Sequence, residues 1–308
     1  MPKKFAERAK ETGERILERS PRPVRIAVEV LIRTVRDWLD DSAPRLAAAL
    51  SYFILIATAP ILIVVVAVVG VLFERDEARE AILEMAEQWM GDAGVQVVSE
   101  VLSGAAESGA GGGVTSLGVI VALFGASVAF HQLQAALNIV WDVPEFDDGL
   151  LGTIKRRAIT FVMVLIVGAL LIAGMLFRAG AYRFFDDIVP FLAGSGPWLE
   201  WTVGLVGATI LFTIIYTILP ERQIDWRETL VGAFVTSLLF NVGVGVVGWY
   251  LQGSAIESMY GAAGSFAVFL VWLYYSSQIF LFGAEFTHVW AERKMEREPA
   301  HTEARRSG

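Results

Sequence analysis

Glu285 and His288 stand three residues apart near the end of an apolar block that runs from about Gly264 to Trp290. At that spacing an acid and an imidazole share a helix face and can exchange a proton. The same stripe carries Tyr274 and Gln278. Other apolar blocks have similar stripes. Ser127, His131, Gln134, Asn138 and Trp141 fall at i, i+4, i+7, i+11 and i+14. Ser237, Asn241, Gly245, Gly248 and Gln252 lie on one face, as do Thr209, Thr213 and Tyr216. An earlier block offers Ser51, Tyr52 and Thr58, then Pro60, which removes the donor for the Ile56 carbonyl and predicts a kink.

Polar groups among so many apolar residues are costly, so their arrangement carries information. Serine and threonine hydroxyls are read first as hydrogen bonds between helices. Glu285 is read as a functional group, because a carboxylate in lipid must pair, take a proton or touch water. Arg45 begins its block at a similar depth and is the expected ion-pair partner of Glu285.

Several enzyme-like patterns carry little. Gly243-Val-Gly245-Val-Val-Gly248 has the G-x-G-x-x-G spacing but no preceding strand, so close helix packing explains it better. Glu285-x-x-His288 is half of a di-iron helix motif, and the remaining carboxylates are missing. The chain has no cysteine and three histidines, His131, His288 and His301. No metal site and no cofactor are expected, and no catalytic residue is assigned.

The elements that must position these groups are long. Of the 308 residues, 55% are hydrophobic and 19% charged, and the charges cluster between apolar blocks. Six blocks reach the ~20 residues a membrane helix needs, at about 46–73, 114–141, 158–177, 201–219, 229–251 and 264–290. Backbone groups in lipid need internal partners, so these are helices. The fold expected is an all-α polytopic membrane bundle.

Lysine and arginine set its orientation. Twenty-one fall on one side and four on the other, which puts both termini in the cytoplasm. Residues 1–23 are a charged tail with no apolar core of a signal peptide, and 293–308 form a second charged tail. Val24, Val28, Leu31, Val35 and Leu39 recur at helical spacing in 24–41, an amphipathic helix suited to the cytoplasmic surface and its anionic lipids. The acidic external loop 74–113 is expected to hold one or two short amphipathic helices and a Gly109–Gly113 hinge.

The third block has no polar side chain in its core and is expected to face lipid. The other five then turn their stripes inward. With this orientation Ser51, Tyr52, Asn138, Tyr216, Glu285 and His288 lie in the cytoplasmic half, which predicts a polar cavity open to the cytoplasm.

Four groups of residues carry a resemblance. They are Ala47-Ala48-Ala49-Leu50-Ser51-Tyr52-Phe53 with Thr58-Ala59-Pro60; Ala126-Ser127 with Gln134-Ala135-Ala136-Leu137-Asn138-Ile139-Val140-Trp141; Leu219-Pro220 with Trp226-Arg227 and Gly232-Ala233; and Tyr260-Gly261, Ser265, Leu270-Val271-Trp272-Leu273-Tyr274 and Gly283-Ala284-Glu285. Over about residues 30–292 the chain resembles the YihY/BrkB family of bacterial inner-membrane proteins, long labelled ribonuclease BN-like. Thr58 stands where the family often has serine. The resemblance implies six helices, an inner-membrane location and an association with serum resistance.

The ribonuclease label does not fit the residues. Metal-dependent RNA hydrolysis needs a cluster of histidine and aspartate ligands. Residues 1–45 carry eleven positive and eight negative side chains, weak charge for an RNA surface. No nucleic-acid partner is expected. The function expected is transporter-like, binding or moving a small solute or lipid through the polar interior. The alternative is a non-catalytic envelope or scaffold protein.

Overall fold

A computed structural model describes residues 21–72, 75–107, 116–144, 162, 196–222, 224–252 and 262–306. Seven helices account for most of them: α1 Arg22–Asp40, α2 Ala43–Leu72, α3 Arg75–Glu107, α4 Ser116–Val140, α5 Gly196–Ile218, α6 Trp226–Gln252 and α7 Ala262–Arg306. Among the described residues there is no strand. Five of the six expected spans overlap helices, α2, α4, α5, α6 and α7, the last of which continues well past the expected end at 290. The third, 158–177, lies outside the described residues except Val162, and so does its expected lipid-facing position. The Gly109–Gly113 hinge also lies outside them.

Local chemistry sets the helix ends. Pro23 sits in the first turn of α1, where its missing N–H would have had no partner. Asp225 caps α6: its Oδ1 accepts from the Arg227 N–H at 3.2 Å, and its carbonyl accepts from Glu228 and Thr229. Glu228 adds a negative charge to the first turn, where the helix dipole favours it. Leu219-Pro220 stops α5. α2 stays helical through Pro60 to Leu72.

Two helices end in a less usual way. Ser42 and Asp142, just past the ends of α1 and α4, have φ of 54° and 50°. Asp142 N–H donates to the Ile139 carbonyl and Val143 N–H to the Asn138 carbonyl, the paired bonds of a Schellman turn. Glycine normally fills that left-handed position, and another residue there stores strain.

α3 is longer than the short helices expected, yet it folds back on itself. Arg79 Nη2 donates to Ser103 Oγ at 3.3 Å, and Ile82 and Ala86 pack with Val98 and Leu102. A straight helix would hold Ile82 and Val98 ~24 Å apart. The chain therefore reverses between them, where Gly91 and Gly94 stand.

α7 is the hub, packing against α1, α2, α3, α4 and α6. It runs on as helix to Arg306, through most of the segment read as a charged tail. Two small-residue pairs let α6 and α7 approach closely. A Cβ on Gly232 would lie 1.7 Å from Thr287 Oγ1, and one on Gly283 would lie 1.8 Å from Thr236 Oγ1. Each threonine returns its hydroxyl to the glycine carbonyl four residues earlier on its own helix, at 2.8 Å for Thr236 and 2.7 Å for Thr287. Further along, Gly243 receives the ring of Tyr275, which bears out the close-packing reading of that glycine.

The main core lies at one end of the bundle. Ala43, Ala47, Leu137, Trp141, Phe212, Tyr216, Leu219, Phe280, Leu281 and Ala284 are its buried centre. It gathers the start of α2, the ends of α4 and α5, the start of α6 and the second half of α7. These are the ends that the charge distribution assigns to one side. Away from the core, Val206, Ile210, Phe234, Val242, Phe266, Leu270 and Val271 are exposed on α5, α6 and α7. Two helical stretches, Trp201–Ile218 and Phe266–Lys294, are long and apolar enough to cross a bilayer among the described residues.

Candidate functional site

Five of the polar residues singled out in the spans are satisfied within their own helix. Ser51 Oγ donates to the Ala48 carbonyl at 2.8 Å and Thr58 Oγ1 to the Ile54 carbonyl at 2.7 Å. Thr209, Thr213 and Asn241 likewise bond carbonyls four residues back. Such bonds remove the need for a partner on another helix. Others join elements, His288 among them. Gln134 Nε2 donates to the Leu219 carbonyl at 2.9 Å, and Asn138 Oδ1 accepts from the Glu221 N–H at 3.1 Å. Tyr216 OH donates to the Phe280 carbonyl at 2.6 Å and lies 3.3 Å from Thr236 Oγ1.

Some expected lining residues point elsewhere. Tyr52 is 56% exposed, and His131 is exposed. Ser127 is half-buried, and the side chain of Pro60 lies outside the described set. Three aromatic rings meet at this end. Trp141 packs edge-on to Tyr216 with ring centroids 5.9 Å apart, and Tyr216 lies 5.0 Å from Phe280. Trp141 and Tyr216 are fully buried. These rings pack together among the described residues at this end of the bundle.

Glu285 is the exception. It is 0% exposed, and neither carboxylate oxygen meets a donor at ordinary hydrogen-bond geometry. The expected Arg45–Glu285 ion pair does not form. Arg45 is exposed, at the beginning of α2, where its long side chain keeps its charge in solvent. The group that faces Glu285 is another acid. The acidic side chains of Asp41, Asp37 and Asp142 are near enough for their charges to act on it.

Close like charges do not both ionise readily. Burial pushes the Asp41 carboxyl above its ordinary 3.8. Asp142 and Asp37 push the same way, while the contact with Glu285 and the nearby His288 oppose it.

His288 anchors the neighbouring turn of α7. Its Nδ1 lies 2.6 Å from the Val140 carbonyl, which can only accept, so Nδ1 carries a proton. Its Nε2 lies 3.1 Å from Glu292 Oε1. Glu292 also pairs with Arg33 of α1. Arg293 donates to the Ile26 carbonyl at 3.1 Å and to Glu29 Oε2 at 3.0 Å, and Lys294 pairs with Glu228 at 3.0 Å. Arg222 donates to the Trp141 carbonyl at 3.1 Å. Cations thus brace the rim of this end, while the acids Asp41 and Glu285 lie within it.

Other buried polar atoms also lack partners. They include Ser237 Oγ on α6, Ser277 Oγ and Gln278 Oε1 on α7, Gln134 Oε1 on α4, and the indole N–H groups of Trp38 and Trp141. Reading the spans alone missed Asp41, Asp142, Trp38 and Ser277. A signal for two of them was present: Asp41 and Asp142 are acids at helix C-termini, where the dipole disfavours negative charge. Among the described residues no group of three or more His, Asp or Glu is placed to hold a metal ion.

Among the described residues the chain is all-helical, with apolar side chains exposed along α5, α6 and α7, the make-up of a helical membrane protein. The chain belongs to the virulence factor BrkB family, whose model matches residues 34–307. It is similar to a UPF0761 membrane protein of Alkalilimnicola ehrlichii, 26% identical over 278 residues, covering 90% of this chain and 61% of that one. A UPF0761 membrane protein of Rhodospirillum centenum is 28% identical, with 88% of this chain and 60% of that one covered. The chain spans about three fifths of the length of these relatives. No solved structure matches it. The membership expected from the sequence motifs is borne out, and the protein is a membrane protein.

Proposed function

We propose that this chain is a transport-type protein of the bacterial cytoplasmic membrane that binds a small polar solute or lipid headgroup in its interior. The observation that carries the reading is Glu285, 0% exposed with both oxygens unpaired. Ser237, Ser277 and Gln278 extend the set of unpaired polar atoms along the α6–α7 pair. An unsatisfied buried group costs ~1–3 kcal/mol. Native proteins keep such groups where water or a ligand visits. The aromatic closure of Trp141, Tyr216 and Phe280 is then the closed state of the cytoplasmic end.

Six spans with both termini inside fit the 21-to-4 distribution of lysine and arginine. α1 lies on the inner surface in this reading, since Val24, Leu31, Ile32, Val35 and Leu39 are exposed rather than packed on the bundle. That stripe suits the headgroup region of anionic lipid. The protein works without catalysis and without nucleic acid.

A second reading has one specific support. The self-bonded hydroxyls of Ser51, Thr58, Thr209 and Thr213 are what a purely structural bundle would show. In that reading the protein is a non-catalytic envelope scaffold, in keeping with the family name.

A thermal-unfolding screen separates the two. The full chain, purified in detergent, is heated with inorganic ions, amino acids, sugars, nucleotides and lipid headgroup analogues. Transport predicts that at least one class raises the unfolding midpoint and that Glu285→Gln loses the effect while remaining folded. A midpoint that no probe moves, or one that moves equally in Glu285→Gln, favours the scaffold.

A further inference from the structure

We propose that His288 is a proton-operated clamp: as an imidazolium it ties the end of α4 to Glu292 and, through Glu292, to α1, and loss of its proton loosens α1. The clamp goes beyond the transport reading and does not depend on what the interior binds.

The two bonds of the ring decide its charge. Nδ1 lies 2.6 Å from the Val140 carbonyl, and a carbonyl oxygen only accepts, so Nδ1 bears hydrogen. Nε2 lies 3.1 Å from Glu292 Oε1. Glu292 Oε2 takes the guanidinium of Arg33, the pairing of an ionised carboxylate. An ionised carboxylate also only accepts. Nε2 must then bear hydrogen as well, and a ring with both nitrogens protonated is a cation. His288 is 8% exposed, so these two partners stand in place of water.

The surroundings suit that charge. Val140 is the last residue of α4, and the final carbonyls of a helix carry the negative end of its dipole. The next carbonyl, that of Trp141, accepts from Arg222 at 3.1 Å. Two cations from two different elements thus cap one helix end. On the other side of the ring, Glu292 passes the link to Arg33 on α1. One proton therefore joins three helices.

Removal of the Nε2 proton, past the partly exposed Glu292 to solvent, leaves a lone pair 3.1 Å from an anion. Attraction becomes repulsion, and Glu292 turns away. Arg33 has an alternative acid on its own helix, Asp37, with Nε and Oδ2 3.6 Å apart. α1 then relies on Arg293, which bonds the Ile26 carbonyl at 3.1 Å and Glu29 at 3.0 Å.

Other charges border the ring. Asp41, in the turn after α1, is close enough to feel its charge. α7 carries Glu285 one turn earlier, and the turn after α4 carries Asp142. Arg45 of α2 is exposed, and Glu228 of α6 is paired with Lys294 at 3.0 Å. Titration of any of these acids would persist in His288→Gln, so that variant separates them from the ring.

The test follows α1 and the ring in the purified full chain. Proteolysis within residues 22–40, normalised at each pH to the unfolded chain, should rise several-fold as pH is raised. Nitrogen-15 resonances of the ring, read in a His131→Gln/His301→Gln chain, should pass from imidazolium to neutral imidazole with the same midpoint. His288→Gln should make the cleavage independent of pH. Arg293→Ala should enlarge the rise, because the clamp then carries more of the attachment. Wild-type cleavage independent of pH, or a rise unchanged in His288→Gln, overturns the clamp. A ring that is neutral while α1 is still protected overturns it too. If His288→Gln fails to fold, agreement or disagreement of the ring and cleavage midpoints in the His131→Gln/His301→Gln chain still decides.

Discussion

Gly232 on α6 faces Thr287 on α7 so closely that a Cβ on the glycine would lie 1.7 Å from the threonine hydroxyl oxygen. Gly283 and Thr236 repeat the relationship in the opposite sense, at 1.8 Å. The two Gly-x-x-x-Thr segments form a reciprocal lock, and that lock places the carboxylate-bearing turn of α7. Gly232→Ala and Gly283→Ala should each destabilise the protein by about 1–3 kcal/mol, the usual cost of forcing volume into a packed contact. Gly204→Ala, with nothing within 4 Å of the added carbon, should be neutral or slightly stabilising. Thermal unfolding in detergent measures all three. Equal midpoints for Gly232→Ala and Gly204→Ala would contradict the lock.

Asp142 occupies a left-handed position usually given to glycine, with φ 50°, and its charge reaches Glu285. Asp142→Gly removes both penalties. It should stabilise the fold by about 1 kcal/mol, the scale of the left-handed penalty. Asp142→Val should destabilise it, because a β-branched residue tolerates that backbone worst. Denaturation midpoints of the two variants should lie on opposite sides of the wild type.

Arg293 ties α7 to α1, with bonds to the Ile26 carbonyl and Glu29. Arg293→Ala should cost about 1.5–3 kcal/mol, the range for hydrogen bonds to charged groups. The loss should fall mainly on the docking of α1, seen as faster proteolysis within residues 22–40. Arg25→Ala removes only an exposed pair with Glu29, at 3.6 Å, and should leave proteolysis unchanged.

The raised Asp41 carboxyl makes stability depend on pH in a definite direction. The folded protein holds this proton more tightly than the unfolded chain, whose ordinary value is 3.8. Its contribution is therefore fully present below 3.8 and is lost as pH rises through the folded value. Above that, an ionised, partly buried acid is a cost. Asp41→Asn should flatten this part of the stability-versus-pH curve and raise the unfolding midpoint at neutral pH. A midpoint for Asp41→Asn below that of the wild type at neutral pH would reverse the sign and contradict the assignment.

The helices were legible because long uncharged blocks have one physical solution in lipid. The span edges at Ala43, Val140, Ile218 and Trp226 fall close to where hydropathy and proline put them. The faces were less legible. Helical spacing tells which residues share a side of one helix, not which side packs or who supplies the partner. Ser51 and Thr58 share a stripe but bond their own helix, while Tyr52 next to them faces outward. Glu285 stood out as a costly group, yet its neighbour was misjudged. Charge complementarity pointed to Arg45, and tertiary packing brought Asp41 instead. Asp41 looked like an ordinary turn acid, and only the fold back of α1 onto α7 brings it to Glu285. The Gly-x-x-x-Thr pairs were visible as spacing, but their meaning depends on the two helices meeting at that height.

Solute-dependent flux through Glu285 is the most direct measure of the account. Proteoliposomes containing the full chain are given an outward-to-inward solute gradient, using the probe that stabilises the purified protein. The account predicts that the solute enters and that Glu285→Gln vesicles behave like protein-free ones. Solute entry at the wild-type rate in Glu285→Gln, or no entry above protein-free vesicles in the wild type, would contradict it.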